Sequence, residues 1–157
     1  MIDARRAVLA LSIVVGTSCA TSTIGNTDIK DTDENREILQ LVERYHQAFE
    51  SLDADAVLEL VSPDFYEDLG NANAQDDYDY EALARSLHEE FERTRAIQIE
   101  IRVDDIEVEE ESAYAELYFD LRAQNEYPSG LKWERTTDRT RLKFVREGDA
   151  WRIISGL

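Results

Sequence analysis

Cysteine is nearly absent: Cys19 is the single one in 157 residues, which excludes an intramolecular disulfide. Histidine is almost as scarce. His46 and His88 lie far apart in the chain, and with one cysteine they do not make a zinc site; no metal or cofactor is expected. Two prolines and six glycines are too few for a low-complexity or disordered body. No P-loop, dinucleotide-binding glycine pattern or nucleophile elbow occurs. Basic residues are outnumbered 17 to 35 by acidic ones, for a formal charge of -18. Such a surface repels nucleic acid and anionic lipid, so a nucleic-acid partner is excluded. What is present is 43% hydrophobic residues, enough for one core in a chain of one-domain length.

Met1 to Ser18 reads as a targeting segment. Arg5 and Arg6 precede an apolar run from Ala7 to Val15, well short of the roughly twenty residues that span a bilayer. Gly16, Thr17 and Ser18 then lead to Cys19. This resembles the lipobox of bacterial lipoproteins, in which cleavage exposes a cysteine whose thiol accepts diacylglycerol. The position three before the cysteine is commonly Leu in that family and is Gly16 here. Ordinary secretion and an uncleaved anchor stay open as alternatives. The resemblance implies a cell-envelope protein held on the membrane through lipid on Cys19. Ala20, in place of Asp, implies the outer membrane if the host is Gram-negative. Residues 19–33 carry the cysteine and a run of Thr, Ser, Asn and Asp without apolar periodicity, expected as a flexible tether. The folded domain is expected over 34–157.

The apolar spacing within that domain predicts three helices and then strands. Ile38, Leu39, Val42, Tyr45, His46 and Phe49 form a helical stripe over about Glu34 to Ser51. A short helix follows over Ala54 to Val61, capped by Asp53 and ended by Ser62-Pro63, and a third over Tyr80 to Arg95, capped by Asp79. A turn region is expected between Gly70 and Asp77. From Ile97 the period becomes two: Ile97 to Val103, continued by Ile106 and Val108 past a bulge at Asp104-Asp105, then Ala113 to Ala123. A loop with Pro128 and Gly130 leads to a strand over Lys132 to Val145, whose inward set is Asp138, Thr140, Leu142 and Phe144. Glu147-Gly148-Asp149 turns into a last strand carrying Trp151 and Ile153. The plan is α+β: three N-terminal helices packed on a curved antiparallel sheet of about four strands.

Two stretches, LVERYHQAFESLDADAVLELVSPDFYEDLG and TRLKFVREGDAWRI, resemble nuclear transport factor 2-like domains, the SnoaL-like and ketosteroid-isomerase-like group that includes polyketide cyclases. The resemblance covers nearly all of 34–157 and implies a cone-shaped, cystatin-like roll, often dimeric through its sheet. Ketosteroid isomerase uses an Asp general base with a Tyr and a protonated Asp as oxyanion hole. By resemblance, Tyr45 falls at the tyrosine, Asp68 of the Glu67-Asp68 pair near the base, and Asp138 near the second acid. A carboxyl at Asp138 buried on the inward set would resist ionisation, a signature of a functional acid. The alternatives are a packed Tyr45, a turn-stabilising Asp68, and an Asp138 paired with Arg139 or Arg141. Tyr45, His46, Phe49, Phe65, Leu117, Phe119, Asp138 and Trp151 are expected to line the cavity. One fold hosts many activities. The leading expectation is therefore a noncatalytic module for a small apolar ligand or protein partner; the alternative is an isomerase-, cyclase- or dehydratase-type enzyme using Tyr45, Asp68 and Asp138.

On the other sheet face, Tyr114, Glu116, Tyr118, Asp120 and Arg122 oppose Arg135, Thr137, Arg139, Arg141 and Lys143. That face is either solvated and held by cross-strand acid–base pairs or the seat of a homodimer. Asp76, Asp77, Asp79 and Glu81 lack the glycine and spacing of an EF-hand and are expected to serve as a helix-capping run.

Overall fold

The computed structural model describes residues 22–25, 27–71 and 73–157. The targeting segment and Cys19 lie outside the described residues.

The first helix, α1 (Asp33–Glu50), begins where the Thr32 hydroxyl accepts the Asn35 amide at 3.1 Å, with Asp33 and Glu34 at the positive end of the helix dipole. Ile38, Leu41 and Val42 are buried, with Leu39, Tyr45 and Phe49 packed against the core beside them. Asp53 caps α2 (Ala54–Leu58) through the Ala56 amide at 2.9 Å. This helix stops three residues short of the expected Val61. The backbone of Leu60 and Ser62 is taken by the last strand instead: Ile153 N–H donates to Leu60 at 2.9 Å and Ser62 N–H donates to Ile153 at 2.8 Å. Asp79 caps α3 (Tyr80–Arg93), which ends before Arg95 because Thr94 already pairs with Asn125 in the sheet.

The turn region is more ordered than its sequence indicates. β1 (Tyr66–Glu67) pairs antiparallel with β2 (Tyr78–Asp79) and clips the loop between them. The main sheet is β3 (Thr94–Val108), β4 (Ser112–Tyr127), β5 (Gly130–Glu147) and β6 (Ala150–Ser155), antiparallel in that order. Its register shifts between Val103 and Asp105, at the expected bulge. The helices cover one face, where Leu117, Leu142, Phe144 and Ile153 are buried. The expected loop around Pro128 is a tight turn, because the β4–β5 ladder continues out to Tyr127 opposite Gly130. This carries the hairpin past the helices, leaving residues 130–139 exposed.

The expected flexible tether is corrected over its described part. Ile29 is only 3% exposed, Thr23 pairs with Lys30, and the buried Asn35 donates its side-chain amide to the Lys30 carbonyl at 2.8 Å. Two isoleucines in a polar run, Ile24 and Ile29, suffice to fold it back on α1 and the end of β3.

On the outer sheet face the expected acid–base pairing is present. Arg135 donates to the two Asp120 oxygens through Nε and Nη2, and Arg141 binds Glu116 at 2.5 Å. Arg141 and Arg102 also lie over the rings of Tyr114 and Tyr118, at 4.4 and 4.9 Å.

Candidate functional site

Between the C-terminal half of α1 and the sheet lies a cavity of about 690 Å³, within the usual range for small-molecule sites. Its wall is built by strand alternation: Ile99 and Ile101 from β3, Leu117, Phe119 and Leu121 from β4, and Thr140 and Leu142 from β5 point to the same side. α1 contributes Tyr45 and Phe49, one turn apart. The mouth is formed by Glu67, Asp68, Leu69 and Gly70 on one side and by Ser155, Gly156 and Leu157 on another.

The mouth is tied together by Glu67. One carboxylate oxygen accepts the Leu69 amide at 3.0 Å and the other accepts the Gly156 amide at 2.5 Å. Gly156 presses its backbone against β5: a Cβ there would sit 2.2 Å from the Arg141 carbonyl oxygen, and its φ of +101° is one side chains rarely adopt. The Tyr78 hydroxyl donates to the Leu157 carbonyl, closing the seam from the β2 side. Burial, with the nearby Glu67 charge, raises the Tyr78 phenol above its ordinary value.

Of the expected lining residues, Tyr45, Phe49, Leu117, Phe119 and Asp138 meet in this cavity. His46, Phe65 and Trp151 do not line it. His46 lies on the far flank of α1, where its Nε2–H donates to the Ile99 carbonyl at 2.8 Å; with Glu50 taking the Ile99 amide at 3.4 Å, it covers the free edge of β3. Helical periodicity places it beside Tyr45 but does not separate core-facing from edge-facing positions. Phe65 is buried against the Tyr78 ring at 5.9 Å. Trp151 is buried under the Arg146 guanidinium at 4.5 Å, with its indole N–H unpartnered. Glu67, Ile99, Ile101, Leu121 and the carboxyl-terminal residues were not foreseen as lining. The isoleucines and Leu121 were legible from strand alternation; Leu157 had no signal.

The three candidate catalytic residues border one cavity but make no hydrogen bond to one another. Asp68 is exposed and accepts the Gly70 amide at 2.9 Å, stabilising the turn. Asp138 is also exposed, and accepts the Arg139 amide at 2.7 Å. It stands on the inward set, but at a height where the sheet has outrun the helices that would desolvate it. Tyr45 differs from both. Burial foremost, then the Glu90 charge, raises its phenol well above the ordinary value, so it remains a neutral donor, on a side chain that is half-buried between helix and sheet. In the acidic run, Asp77 accepts from the Tyr66 hydroxyl, Asp76 from Asn71, and Asp79 caps α3. Its members are used structurally.

A cone-shaped α+β roll with an apolar cavity between helix and sheet defines a class of proteins, and comparison with known families agrees. Residues 38–156 match the model of the SnoaL-like domain, and the chain belongs to that family. Among solved structures it is similar to a conserved protein from Planctomyces limnophilus (15% identity, TM-score 0.67, covering 78% of this chain and 92% of that one). It is also similar to a candidate dehydratase of the nuclear transport factor 2-like family from Streptomyces avermitilis (18%, 0.62, 78% and 93%). A third is a candidate scytalone dehydratase from Novosphingobium aromaticivorans (13%, 0.63, 78% and 80%). At these identities the likeness concerns the fold. No curated protein sequence matches the chain.

Proposed function

We propose that this domain is a noncatalytic binding module of the bacterial cell envelope, held on the membrane by lipid on Cys19, and that its cavity takes a small, mainly apolar ligand. The observation that carries this is Tyr45. It is a half-buried phenol kept neutral by burial, set in walls made of Phe49, Ile99, Ile101, Leu117 and Phe119. One neutral phenol donor among apolar side chains suits a ligand with one hydrogen-bond acceptor, such as a carbonyl, in an apolar frame.

Tyr45→Phe removes the donor and leaves the shape. A hydrogen bond of this kind contributes about 1 kcal/mol, so ligand affinity should fall roughly fivefold with no loss of thermal stability. Unchanged affinity would mean that the phenol does not contact the ligand. For the anchor, labelling with a radioactive fatty acid should mark the wild type and not Cys19→Ala.

The enzymatic reading, with Tyr45, Asp68 and Asp138 as the working groups, draws support from their sharing one cavity and from the candidate dehydratases of the same fold. The exposure of both acids favours the binding reading, since a general base or a neutral acid donor is tuned by desolvation.

A further inference from the structure

Tyr45 and Phe49 face two spaces. On one side is the cavity already described; on the other is a second chamber of about 470 Å³ between α1 and α3. Val57 of α2, Tyr78 of β2, and Leu83 and Leu87 of α3 wall this second chamber. Ser86 and Glu90, both exposed, stand at its solvent side. Tyr45, Phe49 and Leu157 line both spaces. Tyr45 and Phe49 stack in a tilted pair with centroids 5.6 Å apart, and Phe49 meets Phe91 edge-on at 5.1 Å.

The chamber opens to solvent past Ser86 and Glu90, and its volume falls within the range of small-molecule sites. Its walls are mainly apolar, with the Tyr45 hydroxyl shared with the first cavity. The Tyr78 hydroxyl is already given to Leu157, and Ser86 and Glu90 sit at the rim. Water needs two to four polar partners to be held in such a place, whereas an apolar chain needs none.

We infer that the two chambers form one bent ligand path divided by Tyr45 and Phe49, and that the second chamber takes the alkyl tail of an elongated molecule whose polar end stays in the first. A flexible chain is the chemistry that fits, because a rigid polycyclic frame of that length could not follow the bend around two aromatic rings. The inference rests on the reading of the first cavity as a site for apolar ligands.

Titrating the purified full chain with straight-chain primary alcohols from hexanol to hexadecanol, by calorimetry, tests it. Each added methylene should improve affinity about fourfold, the factor for burying one CH₂, until both chambers are full. Ala82 and Ser86 line only the second chamber. Ala82→Trp should leave the shortest alcohols unaffected and weaken the longest by tenfold or more. Ser86→Phe, at an exposed position that does not threaten folding, should do the same to a lesser degree. If the wild type gains affinity along the series but both variants follow it unchanged, or lose equally at every length, the second chamber is not used, and only this inference falls. If the wild type binds none of the series, the reading of the first cavity falls with it.

Discussion

Glu67 holds Gly156 across the mouth of the cavity: its carboxylate accepts the glycine amide at 2.5 Å while its other oxygen accepts the amide of Leu69. A residue on the β1 clip thereby fixes the end of the last strand, and the two borders of the mouth move together. Gly156 has no room to change, because any side chain would meet the Arg141 carbonyl. Gly156→Ala should cost about 3 kcal/mol from strain and overlap. Glu67→Ala should cost about 2 kcal/mol from two lost charge-assisted bonds. Chemical denaturation measures both. If Gly156→Ala is as stable as the wild type, the closing of the mouth on β5 is not as described.

The folded amino-terminal arm gives a second expectation. Ile29 is buried and Asn35 reaches back to Lys30. Relative to a chain that starts at residue 22, one that starts at residue 32 should be less stable by about 3 kcal/mol, the scale for losing one buried isoleucine and its neighbours. Equal melting of the two truncations would return this arm to the status of a spacer.

What was legible in the sequence was whatever repeats with a period. The α1 stripe, the alternation from Ile97 to Ala123 and the inward set ending at Leu142 and Phe144 placed three helices on a curved sheet. Asp53 and Asp79 marked their helix starts. Pairings between distant residues were not legible. Nothing local says that Leu60 and Ser62 would bond to Ile153, so α2 was read too long. Nothing local says that Tyr66 and Asp79 would pair. The site divides the same way. Periodicity alone put Asp138 on the cavity side, but its exposure depends on how far β5 outruns the helices, a property of the whole fold.

Asp120 and Arg135 supply a pH test. The Arg135 hydrogen bond, aided by its charge, holds the Asp120 carboxyl below its ordinary value. A depressed carboxyl stabilises the fold above the unfolded value of about 4 and loses that contribution as pH falls through the lower folded value. The stability gap between the wild type and Asp120→Asn should therefore be constant above about pH 5 and close toward pH 3. A gap that widens on acidification would reverse the sign of the coupling. Because the pair is exposed, the gap should be small and should shrink with added salt.

The outer sheet face supplies a homodimer proposal. Trp133 and Leu131 are exposed on the same side of the sheet as Tyr114 and Tyr118, where acids and bases balance in an otherwise acidic chain. Two copies would meet there with the least repulsion. Sedimentation equilibrium should give a dimer that Trp133→Arg converts to a folded monomer. A wild-type monomer, or a dimer indifferent to this change, would leave the face to solvent and its cross-strand pairs.

Mass spectrometry of the chain as purified from its host, under native and then denaturing conditions, shows whether the cavity holds a ligand. A stoichiometric small apolar molecule should appear in the native mass, be released on denaturation and be less retained by Tyr45→Phe. A ligand-free native mass, together with no uptake of apolar compounds on incubation, would contradict ligand binding by the cavity.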